Sequence, residues 1–89
     1  MSMKLSPKFL THNTKSEHFI ISTGGTRFNG IVKNNETAAF IVECLKSETT
    51  ESAVVDKLLN EYKGADRPTA ERDVKAIIGK LRSIGALIE

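Results

Sequence analysis

Two short runs, Phe28-Asn29-Gly30-Ile31-Val32 and Asn34-Asn35-Glu36-Thr37-Ala38-Ala39-Phe40, are separated by a single residue. The first is typical of a strand and the second of the start of a helix. Aromatic and β-branched side chains are typical of strands, and residues at alternate positions share a face, so Ile31 is expected to lie opposite Phe28 and Val32. An asparagine at position 34 or 35 can cap the helix through its side-chain oxygen. The stretch therefore predicts a mixed fold in which strand and helix are joined by almost no loop.

The residues before this strand predict its neighbours in a sheet. His18-Phe19-Ile20-Ile21 is a second strand-like run, and Gly24-Gly25 lies between the two runs as a tight turn. Phe9-Leu10 is compatible with at most a short edge strand. Residues 1–8 are expected to form a loose N-terminus.

Three helices are predicted by apolar residues that recur every three to four positions. We expect Thr49 or Thr50 to cap the second helix and Thr69 the third, and Gly85 to end the third in a left-handed conformation. Their apolar faces are Ala38, Ile41, Val42 and Leu45; Val54, Val55, Leu58, Leu59 and Tyr62; and Val74, Ile77, Ile78 and Leu81.

The composition is that of one globular domain spanning residues 1–89. Hydrophobic residues make up 39% and charged residues 27% of the 89 positions, which argues against disorder throughout. The formal charge of +2 is too small by itself to indicate nucleic-acid binding. No apolar run has the roughly 20 residues of a membrane span, and the start lacks a signal peptide, so we expect no membrane association and a cytoplasmic location.

The sequence offers little for catalysis or metal binding. His12 and His18 are the near-neutral proton carriers, and neither has a carboxylate or second histidine at ligand spacing. Cys44 is the single cysteine, which excludes an internal disulfide and a zinc site built on cysteine pairs, and we expect it to be a buried helical residue. We therefore predict that the protein is not an enzyme and has no catalytic residues, cofactor or metal.

One flank of the third helix is basic. At about 100° per residue, Arg72, Lys75, Gly79 and Arg82 fall along the same side. This flank is either a solvated surface or a place where Gly79 lets another chain approach while the cations attract its acidic residues. Three helices with strands also describe a winged-helix DNA-binding module, although Glu71 and Asp73 near the helix start and the small net charge argue against that alternative.

The order of these features resembles the PqqD family of small peptide-binding domains. The resemblance runs from Phe19 to Leu87 and is carried by the Ile-Ile strand, the Phe-Asn-Gly-Ile strand, the Asn-Glu-Thr-Ala helix start, Leu58 to Tyr62, Asp73-Val74, Leu81 and Gly85-Ala86-Leu87. It implies an α+β, winged-helix-like fold with a three-stranded antiparallel sheet packed on three helices. It also implies a RiPP recognition element, a domain that binds the leader of a ribosomally synthesised, post-translationally modified peptide.

The same resemblance implies where a peptide would bind. The leader would add as a strand to one edge of the sheet, the docking edge, and would lie against one face of the third helix, the wall. The domain would then present the leader to a radical S-adenosylmethionine enzyme or another maturase. The alternatives are the DNA-binding module, which we do not favour, and a domain that forms a homodimer through the same strand edge. The residues implied are Thr26, Arg27, Phe28, Asn29, Gly30 and Ile31 on the docking edge and Arg72, Lys75, Ala76 and Gly79 on the wall.

Overall fold

The structure is a computed structural model that describes residues 2–22 and 31–89. Within these ranges the chain forms two small sheets and three helices, in the α+β arrangement predicted from the sequence. The elements are β1 (Lys4–Leu5), β2 (Phe9–Asn13), β3 (His18–Ser22), β4 (Ile31–Asn34), α1 (Glu36–Cys44), α2 (Glu51–Glu61), α3 (Arg67–Ser83) and β5 (Leu87–Ile88).

The larger sheet is antiparallel and has the strand order β2-β3-β4. Its inner face is marked by Ile20, which is 1% exposed and pairs with Val32. On the next pair, Ile21 lies opposite Ile31, whose side chain is 64% exposed. Val32 and Ile31 thus lie on opposite faces of β4, as predicted, whereas Phe28 lies outside the described residues. The expected turn at Gly24-Gly25 lies outside the described residues.

The N-terminal segment is part of the fold. Strand β1 pairs with β5, and the backbone N–H of Leu5 donates to the Leu45 carbonyl at 2.7 Å. Met3 and Leu5 are 8% and 6% exposed and belong to the hydrophobic core. The expectation of a loose terminus over residues 1–8 is therefore wrong for residues 3–6, because two apolar side chains separated by one residue are enough to pin a short strand on the core.

Each helix begins at a capping side chain. Asn35 Oδ1 accepts from the Ala38 N–H at 2.8 Å, and Thr50 Oγ1 accepts from the Ala53 N–H at 3.2 Å, as expected. The third helix starts earlier than predicted: Asp66, not Thr69, is its cap, and accepts from the Thr69 N–H at 3.4 Å. Pro68 fits inside the first turn because the N–H that proline lacks would have no helical partner there.

The third helix ends as the sequence predicts. Gly85 has a φ of +75°, and its N–H donates to the Arg82 carbonyl at 3.1 Å. The Ala86 N–H donates to the Leu81 carbonyl at 2.8 Å, which completes a Schellman motif. Ala86 is fully buried, so this turn delivers β5 back to β1.

All three helices pack their apolar faces into one core. Ile41, Leu45, Val54 and Val74 are each 0% exposed, and Phe9 and Ile20 reach the same cluster from the sheet. The side chains assigned to the core from periodicity are buried or half-buried in every helix. This packing fixes α1 beside α3 and leaves the outer edge of β4 uncovered by any other described strand.

Candidate functional site

The outer edge of β4 offers free backbone groups. The Thr14 N–H donates to the Glu17 carbonyl at 2.8 Å. This bond shows which residue pairs of the sheet exchange backbone hydrogen bonds and which do not. Alternation in antiparallel ladders then directs the Val32 and Asn34 backbone groups towards β3, and those of Ile31 and Lys33 towards the free edge. A strand with such an edge is a template for a further strand.

A cavity of about 180 Å³ lies beside the end of β4, between α1 and α3. Ala38 and Ile41 of α1 are buried, while Ile77 of α3 is half-buried. This cavity is about the size of a single side chain, and polar and apolar side chains both line it. Its lining residues are Asn35, Thr37, Ala38, Ile41, Asp73, Ala76 and Ile77.

The exposed face of α3 adjoins this cavity. Ala76 lies at the border, and Arg72 and Gly79 are within about 60° of it around the helix axis. Gly79 is exposed, and a Cβ atom built on it would meet nothing within 4 Å. Packing inside the described chain therefore gives no reason for a glycine there, whereas the close approach of a second chain would.

The charges on α3 divide into paired and unpaired groups. Arg82 donates to Glu89 at 3.2 Å and 2.5 Å, and this hydrogen bonding raises the pKa of Arg82 and lowers the pKa of Glu89. In the described ranges, Arg72, Lys75 and Lys80 make no ion pair. The cationic flank expected from the sequence thus lacks Arg82 as a free cation and retains Arg72 and Lys75.

The predicted site residues are only partly described. Thr26, Arg27, Phe28, Asn29 and Gly30 lie outside the described residues, so the placement of that part of the docking edge stays a prediction. Ile31 lies at the free edge with its side chain on the outer face.

On the helical wall, all four predicted residues are exposed, and Ala76 is the one that lines the cavity. Asp73 and Ile77 also line the cavity, although neither belongs to the site predicted from the sequence. The sequence assigned Ile77 to the core face of α3, and in the structure it is half-buried. Its position at the edge of the apolar face is the signal that could have placed it at a groove.

The two histidines and the cysteine take part in ring stacking, a hydrogen-bond contact and partial burial, respectively. The His12 and Phe19 rings stack with centroids 6.5 Å apart, and His18 Nδ1 lies 3.0 Å from Asn13 Oδ1. Cys44 is half-buried in α1, where burial raises the pKa of its thiol and makes the reactive thiolate scarcer. Among residues 2–22 and 31–89, no three histidine, cysteine, aspartate or glutamate side chains are grouped so that they could hold a metal ion.

Comparison with known proteins shows the family to which this chain belongs. Residues 17–87 match the family model described as coenzyme PQQ synthesis protein D, or PqqD. The match spans most of the 89 residues, and the chain belongs to the PqqD family. The resemblance stated from the sequence is therefore confirmed. Among curated proteins, no sequence matches this chain.

Two solved structures share the fold across nearly the whole chain. One is "TbiB1 in Complex with the TbiA(beta) Leader Peptide", with a TM-score of 0.78, 21% identity, and coverage of 94% of this chain and 93% of that one. The other is "Lasso peptide synthetase B1 complexed with the leader peptide", with a TM-score of 0.75, 26% identity and 98% coverage of both chains. At 21% identity the first likeness concerns the fold alone.

Proposed function

We propose that this domain binds the leader of a ribosomally synthesised precursor peptide and presents it to a modifying enzyme. The observation that carries the proposal is the free outer edge of β4 beside a one-residue cavity and an unpaired cationic helix face. Membership of the PqqD family and the similarity to a lasso peptide synthetase B1 complexed with a leader peptide support it.

The mechanism follows from strand addition. A leader segment would pair with the outward backbone groups of Ile31 and Lys33, which provides affinity independent of sequence. One of its side chains would enter the cavity above Ile41 and Ile77, which provides specificity. Acidic leader residues would meet Arg72 and Lys75 on α3, and these exposed pairs would guide orientation more than they add affinity.

The domain is proposed to act without catalysing a reaction. Its task would be to raise the local concentration of the precursor at the partner enzyme, as expected when two binding events are linked. A radical S-adenosylmethionine enzyme or another peptide maturase in the cytoplasm fits this role. In the described part of the chain, no helix is both long and apolar enough to cross a membrane.

A DNA-binding role is not favoured. The family match and the leader-bound structural neighbours point to peptides. In addition, Arg67 in the first turn of α3 is held by Asp56 at 2.5 Å and by Glu71 at 3.4 Å. Homodimer formation through the β4 edge remains an alternative use of the same surface.

Fluorescence anisotropy with the precursor peptide encoded beside this gene tests the proposal. We expect the labelled leader half to bind with micromolar or tighter affinity and the core half not to bind. The Gly79→Leu variant should weaken leader binding without unfolding the domain, because its side chain would occupy the space that the guest approaches. Asn60→Leu, exposed on α2, is the matched control. Equal binding of both halves, or of neither, would contradict leader recognition.

A further inference from the structure

The larger sheet has a second free edge, on the opposite side from β4. Strand β2 (Phe9–Asn13) pairs with β3 alone among the described strands. The hydrogen-bonding phase set at Thr14 and Glu17 directs the Leu10 and His12 backbone groups towards β3. It directs the N–H groups of Thr11 and Asn13 outwards.

This edge lacks the features that usually protect an edge strand. Leu10 is 58% exposed, and neither proline nor lysine occurs within β2. The Phe9 N–H is already bonded to the Ser6 carbonyl at 3.1 Å, so the open part of this edge runs from Leu10 to Asn13. Natural proteins rarely leave such an edge with an exposed leucine unprotected, because it pairs readily with other chains. A partner that covers β2 in a functional complex would explain the exposed edge and the exposed Leu10.

The space beside β2 is apolar with a basic rim. A cavity of about 450 Å³ adjoins the first residues of β2, and both the buried Phe9 and the exposed Leu10 line it. Lys4 and Lys46 stand at its margin. Lys46 bonds to Glu43 at 2.9 Å, whereas Lys4 is exposed and makes no ion pair within the described ranges. The remaining lining residues are Leu5, Ser6, Pro7 and Thr11.

We propose that the β2 edge is a second strand-addition site, which takes an extended segment of a partner protein with alternating apolar and acidic side chains. The apolar side chains contact Leu10 and enter the cavity, and a carboxylate faces Lys4. A second copy of this chain fits less well, because two β2 edges would bring the lysines at their rims together. Since β2 and β4 lie on opposite sides of β3, both edges can be occupied at once.

Hydrogen exchange of backbone amides in the full chain tests this proposal. The probe is a capped nine-residue peptide of alternating valine and glutamate. We expect it to slow exchange of the Thr11 and Asn13 amides by about tenfold or more, and to leave the already paired Leu10 and His12 amides unchanged. The counter-probe, in which lysine replaces glutamate, should give no protection.

Variants test the charge requirement. Lys4→Glu should weaken binding of the valine-glutamate peptide by about fivefold or more, whereas Lys57→Glu, an exposed site on α2, should leave it within about twofold. The proposal is overturned if Thr11 and Asn13 gain no protection, or if the peptide protects only Ile31 and Lys33. Equal protection by both peptides, or equal losses in both variants, would also overturn it. These outcomes are independent of leader binding at β4.

Discussion

Two glycines, one within α3 and one just after its end, serve different purposes. Gly85 has positive φ and ends the helix, whereas Gly79 sits within the helix facing open space. The first is required by the backbone, which any side chain with a Cβ would strain. The second is not required by packing within the described residues, as expected of a position that another chain approaches.

Alanine substitutions at these glycines should therefore have opposite effects on the free energy of unfolding. Gly85→Ala should destabilise the domain by about 1 kcal/mol because alanine resists the left-handed conformation. Gly79→Ala should stabilise it by about 0.5–1 kcal/mol because alanine is the better helix former. Urea unfolding of both variants measures the difference. A destabilising Gly79→Ala would show that the glycine has a structural role.

At the scale of elements, the start of α3 shows which capping signals a sequence reveals. Thr69 and Asp66 both precede an apolar run, and both could have served as the cap. The structure selects Asp66 and includes Pro68 in the first turn, which lengthens the helix to 17 residues. For the first two helices the sequence offered two adjacent candidates each, Asn34 or Asn35 and Thr49 or Thr50, and the structure selects Asn35 and Thr50. Periodicity found the core faces because it samples several residues, whereas a boundary depends on one.

The Asp66 cap predicts a pH dependence of stability. Hydrogen bonds from Thr69 lower the pKa of Asp66 from the ordinary value of 3.8. A carboxyl whose pKa is lower when folded stabilises the protein above its unfolded pKa, and this contribution disappears as the pH falls through the folded value. Asp66→Asn retains a cap without charge, so it should be less stable than the wild type at pH 7 and nearly equal below that folded value. Chemical denaturation at several pH values measures this, and a constant difference would contradict it.

At the scale of the whole molecule, the N-terminal segment closes the fold. Leu5→Ala should destabilise the domain by about 2–4 kcal/mol, because a buried side chain is removed from the core. Lys4→Ala, on the exposed side of the same strand, is the control and should change stability little. Thermal and urea unfolding measure both variants. A tolerated Leu5→Ala would mean that the segment is loosely attached.

The sequence predicted most of the architecture and only part of the site. The core faces follow from local periodicity, whereas the three-stranded antiparallel sheet packed on three helices was implied by the resemblance to the PqqD family. The pairing of β1 with β5 joins segments more than 80 positions apart and leaves no local signal beyond Met3 and Leu5. The cavity at Ala76 likewise depends on how α1 and α3 pack, so neither Asp73 nor Ile77 could be assigned to it from spacing alone.

The most direct test of leader binding at β4 is amide hydrogen exchange by NMR, with and without the leader half of the precursor. In the free domain the outward amides of Ile31 and Lys33 should exchange rapidly, while the Val32 amide, paired with β3, exchanges slowly. Saturating leader should slow Ile31 and Lys33 by about tenfold or more and shift the Ala76 and Gly79 resonances. If the leader binds and the exchange of Ile31 and Lys33 does not change, strand addition at β4 is contradicted.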